Sequence, residues 1–326
     1  MTLAKIARLA GTSVSTVSKA FSGNREISEE TKEKIFAISK ELGCFDKYYK
    51  APRKNPLIAI MVPEIESEFY STYAGAFESE FHRRGADTII ACTRFERERT
   101  ERIFRELAYG MRVDGILMLC SAEYIKNPDE IPLVAFGSGN GASNADVIKA
   151  DMDEALAELA KTIKEYGHTK VGFISEGLTT SKEAPFKRAL RSAGLTVYPS
   201  YIATSSFRFD EAGEDCMRRL IERGSVPSVI VAAYNRIAYG AMKYAKEAGY
   251  RIPEDISFVG MDDAGEAESY DVPLSSIRIS YEQIREQVAD IIFKRIENRH
   301  YRSRKELRVP IRLVMRASLK NLSEGE

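Results

Sequence analysis

From residue 57 onward the chain alternates short apolar runs with amphipathic stretches, and it does so in two successive blocks. LIAIMV (57–62) precedes a helical pattern at 70–84, TIIA (88–91) precedes a charged one at 97–109, and DGILML (114–119) leads to PLVAF (132–136). After a helical stretch at 152–166 the rhythm restarts: KVGFIS, a helix at 181–194, YIA, a helix at 210–223, SVIVAA, a helix at 236–248, then ISFVGM. Strands apolar on both faces and alternating with helices require parallel sheets covered on each side, joined by right-handed crossovers. Two blocks of similar size predict two α/β lobes, about 57–150 with 281–300 and about 151–278 with 304–320. Open sheets of this kind take ligands beyond the carboxyl ends of their strands, so the cleft between the lobes is the expected site.

The first 45 residues have a different period. Leu3, Ile6, Ala7 and Ala10 repeat at helical spacing behind Thr2, a candidate cap. Gly11-Thr12 interrupts. Ser13 is placed to cap a second helix carrying Val14, Val17 and Phe21, and a third starts at Ser28 with Glu29 and Glu30 in its first turn, ending at Gly43. Two short helices joined by a four-residue turn, followed by a third, describe a helix-turn-helix. The outward residues of the second helix, Ser13, Ser15, Thr16, Ser18 and Lys19, are short hydroxyls and one cation, suited to phosphates and base edges in a major groove. A three-helix bundle that binds protein is the plainer alternative.

Charge points the same way. The chain balances 48 Lys+Arg against 48 Asp+Glu, but residues 1–56 hold 11 basic and 6 acidic side chains and the remainder is correspondingly acidic. A basic head on a mildly acidic body fits contact with a polyanion. Within 46–56, Lys47, Lys50, Arg53 and Lys54 are interleaved with Tyr48 and Tyr49 and read as a linker that tracks a nucleic-acid backbone. The predicted organisation is therefore an all-α head over 1–45, a basic linker over 46–56 and an α/β body over 57–326.

Other chemistries find little material. Cys44, Cys92, Cys120 and Cys216 are scattered without a C-x-x-C, and the three histidines, at 82, 168 and 300, offer little for metal or acid–base work. Gly137-Ser138-Gly139-Asn140-Gly141-Ala142 follows a strand but precedes SNADVIKAD, another strand, where a dinucleotide site needs a helix. Asp262-Asp263 is read as a loop closing a strand and not as a metal site. The N-terminus carries no secretory signal, and no run approaches the roughly 18 apolar residues of a membrane span. We expect a cytoplasmic, non-enzymatic protein with no metal, catalytic residue or cofactor.

MTLAKIARLAGTSVSTVSKAFSGNREISEETKEKIFAISKELG resembles the DNA-binding head of the lactose/galactose repressor family, through its A-x-x-A-G-x-S-x-x-T-V-S-K core and the later I-S-x-x-T-K. The resemblance implies an operator-binding transcription regulator working as a homodimer. It places Val14, Ser15 and Lys19 at base edges and Thr16, Ser18 and the helix start from Ser28 to Thr31 near phosphates, with Thr2, Ser13 and Asn24 also among the DNA-binding residues. The linker CFDKYYKAPRKNP departs from the family: it lacks the Asn, Ala-Arg and Leu of the hinge helix, and Pro52 blocks a helix through that point.

The body resembles the family too, and the periplasmic sugar-binding proteins that share its fold, through VDGI (113–116), IPLV (131–134), PEDISFVGMDD (253–263) and VMRAS (314–318). By the same likeness, a small effector would contact Glu64, Phe69, Tyr70, Lys182, Phe207 (or Phe209), Tyr234, Asn235 and Asp262. Lys182 stands where the family has arginine, Pro185 replaces a glycine, and Tyr234-Asn235 replaces Asn-Asp. Aromatics beside hydroxyl-bonding groups suggest a carbohydrate or sugar phosphate, with a nucleobase as the alternative. A transporter's solute receptor would share the body but not the head.

Overall fold

A computed structural model describes residues 2–22, 26–48, 53–127, 131–136, 145–263, 271–298 and 304–323. The chain divides into two compact units, Met1–Pro56 and Leu57–Glu326.

The first unit holds α1 (Leu3–Ala10), α2 (Val14–Phe21), α3 (Glu29–Glu41) and a short α4 (Phe45–Tyr48). Gly11 adopts φ 68°, the left-handed conformation that costs a side-chain-bearing residue most, and its N–H closes α1 onto Ala7 and Arg8 carbonyls. Ser13 caps α2 by accepting from Thr16 N at 3.0 Å, and Ser28 caps α3 through Thr31 N at 3.3 Å. Thr2 makes no side-chain cap, so that expectation fails; the first turn of α1 hangs on the Thr2 carbonyl instead. Ile6, Ala7, Ala10, Val17, Ala20, Phe21 and Ile35 form the core. Phe45 and Tyr48 stack around Phe21 and Phe36, so α4 packs into the head as well, and the boundary expected at 45 falls later in the chain.

Among the described residues, the second unit contains two six-stranded sheets. The first has the order β11-β5-β4-β3-β1-β2 and is parallel throughout, from β1 (Leu57–Val62), β2 (Asp87–Cys92), β3 (Gly115–Met118), β4 (Leu133–Phe136), β5 (Asp146–Lys149) and β11 (Glu306–Arg308). The second, β12-β10-β9-β8-β6-β7, uses β6 (Val171–Glu176), β7 (Ile202–Ser205), β8 (Val229–Ala232), β9 (Ser257–Gly260), β10 (Ser275–Ile279) and β12 (Ile311–Val314), the last antiparallel to β10. Helices α5 (Glu68–Arg83), α6 (Arg97–Arg105) and α11 (Arg285–Glu297) belong to the first lobe. Helices α7 (Asp153–Glu165), α8 (Glu183–Ser192), α9 (Phe209–Glu222) and α10 (Asn235–Glu247) belong to the second. One lobe boundary is corrected. Residues expected in the second lobe at 304–320 are shared, because β11 pairs with β5 and only then does the chain cross to β12. The lobes are thus joined at three crossings, after β5, after β10 and between β11 and β12.

Close packing positions the second lobe's helices. A Cβ on Gly240 of α10 would lie 1.9 Å from the Asp210 carbonyl of α9, and one on Gly213 would lie 2.0 Å from the Ile237 carbonyl. The two helices touch backbone to backbone, which fixes the start of α9 beside the strand ends of the second sheet.

Candidate effector cleft and nucleic-acid interface

Strand ends and the loops that follow them, from β1, β2 and β5 in the first sheet and β6 to β10 in the second, wall a cavity of about 310 Å³. The first lobe contributes Glu64, Ser67, Phe69, Tyr70 and Phe95. The second contributes Glu176, Thr179, Ser181, Lys182, Arg208, Phe209, Tyr234 and Asp262, and the crossings contribute Met152, Ile279 and Tyr281. Two requirements of a ligand site meet here: apolar faces, and polar groups aimed from different elements.

The aromatic wall is a connected cluster. Phe69 meets Tyr70, Tyr73 and Tyr281 edge-on at 5.1, 4.8 and 5.6 Å between centroids, and Tyr70 meets Phe95. Burial pushes the Tyr70, Tyr234 and Tyr281 phenols above their ordinary range, so they are neutral donors at any physiological pH. Phe209 carries the Arg208 and Arg236 guanidinium groups, each 4.4 Å from its centroid. Its face is given to cations.

The polar wall is ordered by a few contacts. Glu64, buried, accepts both terminal nitrogens of Arg208 at 2.5 and 2.8 Å. That pairing, more than burial opposes it, holds the guanidinium charged well above its ordinary range. Lys182 donates to the Ala233 carbonyl at 2.6 Å and the Met261 carbonyl at 3.4 Å. Burial lowers its pKa, with Asp262 and Glu176 opposing that shift. Asp262 accepts from Asn235 N at 3.1 Å, and Tyr234 OH accepts from Phe209 N at 3.0 Å. Among the described residues, Glu176 Oε1 and Arg208 Nε are the buried side-chain polar atoms without a hydrogen-bond partner, and both residues line this cavity.

Of the residues expected from the sequence, Glu64, Phe69, Tyr70, Lys182, Tyr234 and Asp262 come together here. Phe207 and Asn235 do not. Phe207 is 51% exposed: its N–H is held by Ser205 Oγ at 3.1 Å, and Phe209, at φ 55°, turns inward instead. Asn235 is buried at the start of α10, where Ser276 Oγ donates to its Oδ1 at 2.7 Å; Gly260 has no side chain to block that approach. Arg208, Glu176, Phe95 and Tyr281 were not anticipated. Glu176 closes β6, a position the strand-end rule would have flagged, and Arg208 sits between the two candidate phenylalanines. Tyr281 arrives from a distant crossing and gives no local signal. Asp263, at φ 46°, is taken up by Arg278 at 2.5 Å and Arg316 at 2.7 Å. The Gly137–Ala142 stretch lies outside the described residues.

In the head, Ser13, Val14, Ser15, Ser18 and Lys19 are exposed on α2, and Val14 is 47% exposed despite being apolar. Val14, Ser15, Ser18 and Lys19 recur at helical spacing and so share a face. Thr16 and Thr31 are half-buried and engaged with their cap serines, Oγ1 to Oγ at 2.8 Å in each case. Lys19 Nζ sits 2.6 Å from Glu26 Oε2, which holds the Glu26 carboxyl below its usual range through that hydrogen bond. Thr2, Ser28, Arg53 and Lys54 are exposed. Asn24, Lys50 and the Lys47 side chain lie outside the described residues.

The bacterial regulatory protein lacI family matches residues 2–44, and the periplasmic binding protein-like domain matches residues 160–319. The head is thus a lacI-family helix-turn-helix domain, and the body carries a periplasmic binding protein-like domain. Curated relatives include the HTH-type transcriptional repressor PurR of Haemophilus influenzae strain PittEE, 28% identical over 98% of this chain and 99% of that one. The PurR of Vibrio atlanticus is 29% identical over 99% of each. Among solved structures, a lac repressor dimer bound to operator and an anti-inducer aligns with TM-score 0.68, 20% identity and 98% of each chain. A CelR–cellobiose complex aligns with TM-score 0.67, 24% identity, 98% of this chain and 100% of that one. With its lacI-family head and two-lobed α/β body, the chain is a DNA-binding transcriptional regulator. No helix among its described residues is long and apolar enough to cross a membrane.

Proposed function

We propose that this chain represses transcription as a homodimer on operator DNA, and that a small purine-class effector bound between its lobes sets its DNA affinity. The observation that carries the effector is the cavity itself: six aromatic side chains from both lobes and a crossing line it beside two buried polar atoms, Glu176 Oε1 and Arg208 Nε, that have no hydrogen-bond partner. Planar heterocycles stack on such walls and hydrogen-bond at their edges. Full-length likeness to repressors named PurR favours a purine over the carbohydrate expected from the sequence. A sugar is the second reading, because Thr179, Ser181 and Asp262 suit a polyol. The dimer follows from area, since one helix-turn-helix buries too little surface for operator affinity and two-fold symmetry doubles it. A ligand that favours one arrangement of the lobes would couple occupancy to the heads. A solute receptor or an enzyme on this body is disfavoured by the matched head and by the regulators that resemble the whole chain.

The test is calorimetric titration of the full-length protein with adenine, guanine, hypoxanthine and a panel of sugars, followed by gel shifts on genomic operator fragments. A purine that binds and changes DNA affinity tenfold or more is the expected result. A sugar doing so while no purine binds overturns the purine reading. Absence of salt-sensitive DNA binding under every condition overturns the regulator reading.

A further inference from the structure

Glu176 ends β6 inside the cavity with 2% of its surface exposed. Its Oε2 accepts from Leu178 N at 2.9 Å, and its Oε1 has no partner. Lys182, Arg208 and Tyr234 are near enough to interact with its charge. Neither cation is at liberty: Arg208 spends both terminal nitrogens on Glu64, and Lys182 points at two backbone carbonyls between Glu176 and Asp262. Arg208 Nε is buried and has no partner. The charged lining is Glu64, Glu176 and Asp262 against Lys182 and Arg208, an excess of one negative charge. Any deprotonation of the buried Lys182 would deepen that excess. A buried carboxylate oxygen without a donor bears the full cost of its desolvation, and a ligand N–H or O–H removes that cost. A ligand phosphate or carboxylate would instead add like charge at close range in a poorly screened site.

We propose that the effector is uncharged, that it gives a hydrogen bond to Glu176 Oε1 and takes one from Arg208 Nε, and that the cavity rejects phosphorylated ligands. This rests on the reading that the cavity holds the effector. Among purine compounds it selects bases or nucleosides over nucleotides, and among sugars free sugars over sugar phosphates.

The experiment is titration of the full-length protein with matched pairs: guanine and guanosine monophosphate, adenine and adenosine monophosphate, ribose and ribose 5-phosphate. The same series is run on Glu176→Gln, which keeps an oxygen for Leu178 N while losing the charge. In the wild type the uncharged member of at least one pair binds, and its phosphorylated partner binds at least 100-fold more weakly. Glu176→Gln, with an unchanged melting profile, weakens the uncharged ligand at least tenfold and narrows the gap within the pair. A phosphorylated ligand binding as tightly as its partner overturns the proposal while leaving a ligand-binding cleft in place. So does a folded Glu176→Gln with unchanged affinity and selectivity. Should Glu176→Gln fail to fold, the wild-type pairs decide alone. Binding of ribose only, with ribose 5-phosphate rejected, supports the proposal and removes the purine. Binding of none of the six overturns both.

Discussion

Glu64 and Arg208 tie the two lobes together through a forked ion pair, two parallel N–H···O bonds of 2.5 and 2.8 Å between a first-lobe loop and the loop that opens α9. Forked geometry makes this the strongest class of charge-assisted hydrogen bond. The Glu64 side chain is 4% exposed and the Arg208 side chain 32%, so the pair is screened on one side only. The contact shares Arg208 with the cavity.

Removing either partner should therefore be unequal. Arg208→Met leaves a buried carboxylate alone and should cost about 2–3 kcal/mol, below the usual figure for a fully buried pair because Arg208 is partly solvated. Glu64→Gln keeps two polar atoms for the arginine and should cost less. Urea unfolding of both single variants and the double variant gives the coupling; a coupling near zero would show that the lobes do not depend on this pair.

A DNA contact by Lys19 would compete with its ion pair to Glu26. Lys19→Ala should weaken operator binding and reduce the slope of log affinity against log salt by about 0.9, the value for one phosphate-neutralising cation. Glu26→Gln should raise affinity at low salt, because the competing intramolecular pair is gone. Fluorescence anisotropy across a salt series checks both, and an unchanged slope for Lys19→Ala would limit Lys19 to base contact.

His168 makes stability fall on the acid side. Its ring is buried between Ser228 Oγ and the Lys320 carbonyl, both at 2.9 Å, and burial lowers its pKa below the ordinary 6.5. The unfolded chain takes up a proton first as pH drops through that value, so stability is full above it and declines toward the lower folded value. His168→Gln should flatten this part of the profile, measured as melting temperature between pH 7.5 and pH 5. A parallel acid slope in the variant would assign the loss to other groups.

Gly240→Ala should be among the most damaging small substitutions in the second lobe. A Cβ there meets the Asp210 carbonyl at 1.9 Å, backbone that cannot swing aside, so α9 and α10 must part. Overpacking of this kind costs about 1–3 kcal/mol or more. Because Asp210 follows Arg208 and Phe209, effector affinity should fall together with melting temperature. Ligand binding unchanged in a destabilised Gly240→Ala protein would separate the helix contact from the cavity wall.

The fold was largely legible because its signals are local. Runs such as LIAIMV and SVIVAA are apolar on both faces and short, and the helices between them carry their own period, so β1 and β8 fall where the pattern puts them. The head was legible for a related reason: Gly11 and the Ser13 and Ser28 caps act within four residues, distances over which sequence alone specifies geometry. Thr2 failed as a cap because an identical residue type can leave the task to its own carbonyl. The division of 304–320 failed because strand partnership across a crossing is not encoded in the period of the strand that crosses.

The cavity marks the limit. Family likeness and strand ends brought Glu64, Phe69, Tyr70, Lys182, Tyr234 and Asp262 to one place. Which of Phe207 and Phe209 turns inward depended on one backbone angle and on Tyr234 OH receiving the Phe209 N–H. The sequence by itself determined the two periods, the caps, the basic head and the strand-end position of the site, since these follow from contacts between near neighbours in the chain. Only the tertiary structure decided that Arg208 is spent on Glu64, that Glu176 Oε1 is left without a partner, and that Tyr281 closes the wall. Those relations join residues far apart in sequence, and their energies exist only once the two lobes bring them within hydrogen-bonding range.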